Sequence, residues 1–381
     1  MLFRSEVDWG EADVDLAGAV TRVHLFFMRS CFSGAAFSMA SPVETQQAFL
    51  EGHALAFGWF GGVFGEVRYD NLGSAVKRVL RGRRRVETDR FVAMRSHYLF
   101  DSIFTSPGLH GAHQKGGVEG EVGRLRRNHL VPVWQVGSIG QLNRLLGDVC
   151  ELDLGRRIAG RPGTVAEQLA TERPLLRALP EPFDSTEITT VRVDSKALVT
   201  VRQNRYSVPV ALAGLRVTAA IGASEIRISH RDGEVACHER MHGRYGTRAV
   251  LDHYLELLAR KPGGLARSLP LAQERDRGTW PEQFDELWRA LCARWGAPEA
   301  DRQMVDVLLL CREHGPARVE LAVRGPLAAG AIDGRAVAVL ARPSSPTVPA
   351  PRLDGLDVRL AAHDRPEPDL ANYDQLIGGA R

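Results

Sequence analysis

Three acidic residues occupy positions in the sequence from which they could bind divalent cations. Asp8 lies in the run EVDWG and Asp70 lies in VRYDNL, each at the predicted end of a β-strand. Glu119 lies in HQKGGVEGEVGRLRR, on a predicted helix. Mg²⁺ binds oxygen ligands, commonly one or two carboxylates together with phosphate oxygens, and two ions about 4 Å apart can promote phosphodiester cleavage. These carboxylates therefore form a candidate phosphoryl-transfer site.

Spacing alone does not separate these three residues from other carboxylates nearby. The chain has 46 acidic residues, and most residues of this type lie on a solvated surface. Four of them remain alternatives: Asp13, Asp15, Glu66 and Glu121. His110 and His113 also lie near Glu119, but no cysteine or histidine lies at the spacing of a zinc site. The sequence therefore favours a carboxylate site for a hard cation.

Two groups of basic residues lie close to Asp70 and Glu119 in the sequence, and both could contact DNA phosphates. The first group is the run KRVLRGRRR, and the second surrounds Glu119. Their members are Lys77, Arg78, Arg81, Arg83, Arg84, Arg85, Lys115, Arg124, Arg126 and Arg127. Each group also has a simpler explanation, because basic residues favour the end of a helix dipole and Lys115 could form a surface ion pair with Glu119. Both explanations remain open.

The composition of the chain excludes several classes of protein. Of the 381 residues, 44% are apolar and 25% are charged, as in soluble globular proteins. No uncharged apolar run of about 18 residues predicts a membrane span, and the N-terminal residues contain no apolar segment typical of a secretory signal. Five dispersed cysteines without a CxxC pair argue against a disulfide framework and favour the reducing cytoplasm. The net charge of +3 does not by itself predict nucleic-acid binding.

The first 137 residues alternate short apolar runs with helical patterns, which predicts an α/β domain. The run from Ser41 to Glu44 has the form of a capping box and predicts the start of a helix. Gly61 and Gly62 predict its end. The predicted elements are strands at 20–27, 35–40 and 63–69 and helices at 42–58 and 71–80.

The rest of the chain is predicted to form four further regions. Residues 138–185 are predicted to form a helical connector, because Ser138 and Thr164 each begin a capping-box pattern. Over residues 186–245 the pattern changes to short β-rich runs, with a hairpin signal at Asp232-Gly233. This pattern predicts a small β-barrel. A helical pattern returns over 246–341. Residues 342–381 are proline-rich and are predicted to form an exposed tail.

Three long segments of the chain resemble insertion-sequence transposases of the IstA type. They begin VDWGEADVDLAG, FFMRSCFSGAAFSMASPVETQQ and RFVAMRSHYLFDSIF, and they include the motifs YDNL and KGGVE. These transposases belong to the superfamily of DDE transposases and retroviral integrases, and the resemblance extends nearly from end to end. It implies an RNase H-like catalytic core in which Asp8, Asp70 and Glu119 bind the metal. Glu121 does not align with a ligand and is predicted to lie on the helix surface.

The resemblance also implies an activity and a set of partners. A transposase of this kind cuts donor DNA at the ends of its element and joins the 3′ ends to target DNA, by in-line phosphoryl transfer without a covalent enzyme intermediate. Two Mg²⁺ ions, for which Mn²⁺ could substitute, would be its cofactors. DNA, further copies of the same chain and a separate AAA+ ATPase helper would be its partners, in the cytoplasm at the nucleoid and without a membrane. The segment NRYSVPV resembles the small β-barrel that follows the catalytic core in this family.

One feature departs from the family pattern. Members carry a helix-turn-helix region ahead of the catalytic core, whereas Asp8 lies only seven residues after the first residue here. We therefore expect a truncated copy that lacks this region. Two alternatives remain open: a catalytically silent fragment that binds DNA and multimerises, and a general RNase H-like nuclease.

Overall fold

The structure of the protein is a computed structural model. The described residues are 4–69, 76–79, 85–104 and 116–342. For 76–79, 85–86 and 116–119 only the backbone is described. The chain divides into two compact units, Met1–Trp280 and Pro281–Arg381. Within the described ranges, no helix is both long enough and apolar enough to cross a lipid bilayer.

A six-stranded mixed sheet forms the centre of the first unit. The elements up to residue 172 are β1 (Arg4–Leu16), β2 (Ala19–Ser30), β3 (Ala36–Ser41), α1 (Gln46–Phe60), β4 (Glu66–Tyr69), β5 (Val76–Val79), β6 (Arg85–Glu87), α2 (Asp89–Tyr98), β7 (Asp101–Phe104), α3 (Gly116–His129), β8 (Gln135–Val136), α4 (Ile139–Asp153) and α5 (Val165–Glu172). The strand order is β3-β2-β1-β4-β7, and β8 pairs with the end of β1. The β1–β2 and β2–β3 pairs are antiparallel, whereas β1–β4 and β4–β7 are parallel.

The two faces of this sheet pack against different helices because side chains alternate along β1. Val7 belongs to an apolar core that includes α1 and α2. Ala12 and Val14 belong to a second core that includes α3 and α4. Asp8, Gly10 and Ala12 alternate by two residues, so Asp8 shares the face on which α3 and α4 pack.

Three sequence predictions for this sheet are wrong in part. Asp8 lies inside β1 rather than at its end, because the β1–β2 pairing continues to Leu16. The first helix begins at Gln46 with Thr45 as its N-cap, since Ser41 pairs with His24 as the last residue of β3. The helix predicted at 71–80 is contradicted at 76–79, which form β5 and pair with β6. Residues 71–75 and 80 lie outside the described residues.

Other predictions for this part of the chain are confirmed. The strands predicted at 20–27 and 35–40 correspond to β2 and β3, and Gly61 ends α1 in a left-handed conformation. Ser138 caps α4, and Thr164 caps α5 through a complete capping box with Glu167. Helix α5 ends at Glu172 and is followed by a 3₁₀ turn at Arg173–Leu175.

Residues 187–248 form seven short strands in two sheets around one apolar core. The strands are β9 (Glu187–Arg192), β10 (Leu198–Val201), β11 (Asn204–Ser207), β12 (Arg216–Ile221), β13 (Glu225–His230), β14 (Gly233–Glu239) and β15 (Thr247–Arg248). One sheet has the order β14-β13-β12-β9 and the other β10-β11-β15. The change to β structure and the hairpin at Asp232-Gly233 are confirmed, whereas closure into a barrel stays a prediction.

Helices follow the β-rich region, as predicted. The first unit ends with α6 (Leu255–Arg260) and α7 (Leu269–Asp276). The second unit contains α8 (Glu282–Trp295), α9 (Ala297–His314), α10 (Pro316–Ala329) and α11 (Gly334–Ala341). In it, buried Trp288 donates a hydrogen bond from Nε1 to Asp301 Oδ1 at 3.0 Å, which links α8 to α9. The proline-rich tail lies outside the described residues from 343 onward, and the domain boundaries predicted at 137, 185 and 245 stay predictions.

Candidate active site

Asp8 is a buried carboxylate in the middle strand of the central sheet. Asp8 is only 8% exposed, and its backbone pairs with Phe27 of β2. On the other side of β1, Val7 pairs with Tyr69, which is the last residue of β4. Asp70 is the next residue in the chain and lies outside the described residues. Glu119 lies in the first turn of α3, where only the backbone is described.

Helix α3 packs directly on the Asp8 face of the sheet at Gly10. A Cβ atom at Gly10 would lie 2.5 Å from Val122 Cγ1, so only a glycine allows the helix to come this close without a shift. Glu119 lies one helical turn before Val122. Further along β1, Ala12 lines a cavity of about 430 Å³ together with Arg126 near the other end of α3. The first half of α3 therefore lies toward the part of β1 that contains Asp8.

The last residue of β4 is held in place from the opposite face of the sheet. His53 of α1 contacts Phe49 O through Nδ1 at 2.7 Å and the hydroxyl of Tyr69 through Nε2 at 2.9 Å. Since Phe49 O can only accept, Nδ1 carries the proton and Nε2 accepts from Tyr69. Both side chains are buried, and burial lowers the pKa of His53 to about 4 and raises the pKa of Tyr69. This pair fixes the strand end that immediately precedes Asp70.

Because His53 is buried, we predict that the folded protein loses stability at acidic pH. In the unfolded chain histidine titrates near its ordinary pKa of about 6.5, so between that value and about 4 the unfolded chain binds more protons than the folded one. The free energy of unfolding should therefore fall as the pH falls, by about 1 kcal/mol between about pH 7 and about pH 5.5. Urea unfolding of the wild type and of His53→Gln at both pH values measures this, and an equal fall in both proteins would contradict it.

A layer of paired charges lies beside Asp8 on the same face. Arg4 Nε lies 2.6 Å from Glu66 Oε1, and Arg68 Nη1 lies 3.9 Å from Glu6 Oε1. Arg4 and Glu66 are register neighbours, as are Glu6 and Arg68, so each ion pair joins β1 to β4. Glu66, one of the alternative carboxylates, is therefore occupied by the ion pairs that hold these two strands together.

Glu121 is buried, and the prediction that it lies on the helix surface is wrong. The residue is 5% exposed, and its carboxylate faces three guanidinium groups. Arg124 Nε donates to Oε1 at 2.7 Å, Arg156 Nη2 donates to Oε2 at 2.9 Å, and Arg29 Nε lies 3.9 Å from Oε2. Arg124 also binds Asp153 at the end of α4. We call these five residues the Glu121 cluster.

The candidate DNA-contacting residues fall into four groups. Arg126 and Arg127 are exposed on α3, beside the cavity at Ala12. Arg124 is bound within the Glu121 cluster, where its guanidinium contacts Glu121 and Asp153. Lys77, Arg78 and Arg85 lie on the β5–β6 hairpin, where side chains are not described. Arg81, Arg83, Arg84 and Lys115 lie outside the described residues, as do His110 and His113.

The described residues do not by themselves complete a metal site. Among them, no group of three or more histidine, cysteine, aspartate or glutamate side chains could hold a metal ion. Of the two other alternative carboxylates, Asp13 is exposed and binds Arg22 at 3.0 Å, and Asp15 lies near the far end of β1. Asp8 is the candidate ligand whose side chain is described and which lies beside α3.

The roles of two residues near the site, Gly10 and Glu121, were not recognised from the sequence. Gly10 was not singled out, although an isolated glycine inside a strand often marks the close approach of another element. Glu121 was assigned to the surface because it does not align with a metal ligand of the family. Its partners Arg29 and Arg156 are distant in the chain, and no local pattern marks them.

The sequence is similar to transposases of bacterial insertion sequences. It is 32% identical over 384 residues to the transposase for insertion sequences IS1326/IS1353 of Pseudomonas aeruginosa, which covers 97% of this chain and 72% of that protein. It is 29% identical over 392 residues to a transposase of Aminobacter aminovorans, with the same coverage. The chain belongs to the family of insertion-sequence transposases, and the resemblance noted in the sequence is confirmed.

Further comparisons place this membership more closely. A transposase for insertion sequence element IS21 of Pseudomonas aeruginosa is 29% identical over 258 residues, or 67% of this chain and 65% of that protein. Residues 179–250 match the model of the Mu transposase C-terminal domain, which overlaps the β-rich region. The relative that is at least 30% identical is the transposase for IS1326/IS1353, and the IS21 transposase is a more distant relative. The mixed sheet is compatible with the RNase H-like fold class expected of the core.

A solved structure also aligns with part of the chain. The HTLV-2 integrase catalytic core domain in complex with magnesium covers 44% of this chain and 94% of its own, with 12% identity and a TM-score of 0.29.

Proposed function

We propose that this protein is a DDE transposase that cleaves phosphodiester bonds at insertion-sequence ends and transfers the 3′ ends to target DNA in a Mg²⁺-dependent reaction. Asp8, Asp70 and Glu119 are its metal ligands and catalytic carboxylates in this proposal. The observation that carries it is the contact between Gly10 and Val122, which brings the first half of α3 onto the face of the sheet that holds Asp8. Membership of the transposase family supports it independently.

The residues proposed as ligands fit magnesium in their chemistry. All three are carboxylates, which are the side-chain ligands that Mg²⁺ prefers, and Asp8 is held on a central strand with little freedom to move. When bound, Mg²⁺ would neutralise charge on the scissile phosphate and lower the energy of the attacking and leaving oxygens. Two ions are proposed, with Mn²⁺ as a possible substitute.

The protein's own residues would hold and orient the reacting groups. The charge pairs Arg4–Glu66 and Arg68–Glu6 keep β1 and β4 in register, so that Asp8 keeps a fixed position relative to the end of β4. Exposed Arg126 and Arg127 would bind phosphates of the DNA along α3, and the basic residues of 77–85 and Lys115 would extend this contact. DNA, further copies of this chain and an AAA+ ATPase helper are the proposed partners.

Charge removal on α3 should weaken DNA binding without changing its sequence preference. Arg127→Ala is expected to reduce the slope of log K against log salt by about one unit, because one phosphate contact is lost. Arg302→Ala provides a matched control, since Arg302 is an exposed helical arginine in the second unit that pairs with Glu299. Salt-titrated binding to oligonucleotides measures both slopes. A wild-type slope in Arg127→Ala would remove this residue from the DNA contact.

A joining assay tests the proposed function. The protein, its ATPase helper, oligonucleotides that carry the element ends and a target plasmid are incubated with Mg²⁺, with Mn²⁺ or with EDTA. Joined products that require Mg²⁺ or Mn²⁺ support the proposal. DNA binding without cleavage or joining under any condition would instead favour the silent DNA-binding fragment, and cleavage without joining would favour a nuclease.

A further inference from the structure

We propose that Glu121 is a positioning residue that sets the affinity of the site for Mg²⁺ by holding α3 against the sheet. This inference rests on the proposed function, because it assigns to α3 the task of presenting Glu119. Glu121 lies two residues after Glu119 on the same helix. It does not touch the reacting groups in this proposal and acts only through the placement of the helix.

The Glu121 cluster joins α3 to two other parts of the fold. Arg29 belongs to β2, and Arg156 belongs to the segment between α4 and α5. Arg156 also donates from Nη2 to Gly34 O at 2.8 Å, which ties the same guanidinium to the turn between β2 and β3. One carboxylate on α3 therefore connects the helix with the sheet and with the segment between α4 and α5.

A second carboxylate extends the cluster toward the end of α3. Asp153 accepts from Arg124 Nη1 at 3.1 Å, and His129 Nε2 lies 3.2 Å from its Oδ1. Arg124 thus bridges Glu121 and Asp153, so that α3 and α4 share one set of ion pairs. These contacts hold the later half of α3, whereas the Gly10 contact holds its middle.

The electrostatic balance of the cluster depends on Glu121. Three arginines face two carboxylates, Glu121 and Asp153, and all five side chains are at most 21% exposed. Removing one charge from a buried, hydrogen-bonded group leaves its partners desolvated and uncompensated. In Glu121→Gln, Arg29 and Arg156 would each lose the charge of this carboxylate, whereas Arg124 would keep Asp153 as a partner. Because Arg29 and Arg156 are anchored outside α3, the helix is the element expected to shift.

Glu121→Gln should raise the Mg²⁺ concentration for half-maximal joining. We expect a rise of about 10-fold, the lower end of the loss caused by removing a group that orients a metal ligand. Glu121→Asp keeps the charge and should recover most of this loss. Glu299→Gln is the matched control, because Glu299 also pairs with an arginine three residues later, Arg302, but in an exposed position. A defect in folding alone would lower the yield of active protein without changing the Mg²⁺ requirement.

Hydrogen exchange of the α3 backbone separates this inference from the proposed function. Faster exchange of α3 in Glu121→Gln, with wild-type exchange in Glu299→Gln, supports the positioning role whether or not the protein joins DNA. If the wild type joined no DNA in Mg²⁺ while this difference persisted, the proposed function would fail and the positioning of α3 would stand. Unchanged α3 exchange and an unchanged Mg²⁺ requirement in Glu121→Gln would overturn the inference.

Discussion

Asp8→Asn is expected to lower Mg²⁺-dependent strand transfer by more than about 100-fold, because removing even a group outside the ligand shell commonly costs 10- to 100-fold. The substitution preserves the shape of the side chain but removes the formal charge that would hold the cation. DNA affinity should change little, since contacts between arginine and phosphate do not depend on this carboxylate. The measurement is the joining rate on oligonucleotide ends, together with salt-titrated binding. Asp70→Asn is expected to behave in the same way.

Asp13→Asn is the matched control for this prediction. Asp13 lies on the same strand as Asp8, but it is exposed and bound to Arg22. Its substitution should leave the joining rate close to that of the wild type, since an exposed ion pair contributes little to stability. Near-normal joining by Asp8→Asn in Mg²⁺ would show that the carboxylate assignment is wrong at its centre.

Gly10→Ala is expected to lower strand transfer by about 10- to 100-fold, since a misplacement of about 1 Å in an active site can cost about 100-fold. The added methyl group would lie 2.5 Å from Val122 Cγ1, and a valine in a helix has little freedom to rotate away. Helix α3 must therefore move off the sheet, and Glu119 must move with it. The joining rate at saturating Mg²⁺ measures the effect.

A second substitution tests whether the Gly10 contact is the cause. Val122→Ala removes the atom that the new methyl group would meet, so Gly10→Ala/Val122→Ala should recover much of the lost rate. Gly147→Ala is a suitable control, because it lies inside α4 and a Cβ there meets no atom within 4 Å. If the double variant were no more active than Gly10→Ala alone, steric displacement of α3 would not explain the loss.

Local signals in the sequence predicted helix caps correctly where no other segment competed, but they failed where a residue pairs with another strand. Thr164 and Glu167 form a complete capping box because both residues needed for it lie within one turn. Ser41 and Glu44 have the same pattern, yet Ser41 is held in β3 by its pairing with His24. A helix was predicted at 71–80, whereas pairing with β6 makes Val76–Val79 a strand. In both cases a contact formed by another segment outweighed the local preference.

The candidate carboxylates were identified from their motifs, whereas the residues that position them were not. Asp8 carries a recognisable sequence context and lies on the face of the sheet that packs against α3, and its role as a ligand stays a prediction. The role of Glu121 depends on Arg156, which follows 35 residues later, and on Arg29 in another strand. A charge surrounded by arginines in sequence resembles a solvated surface, and only the fold shows that this one is buried.

The Glu121 cluster also bears on the size of the smallest piece of this chain that could work alone. A chain that ended at residue 137 would contain Asp8, Asp70 and Glu119, but it would lack Asp153 and Arg156. It would also lose the leucines of α4 that complete the second core. The boundary of the part that carries the proposed catalytic carboxylates therefore differs from the boundary of the part expected to fold, and the second lies beyond α4.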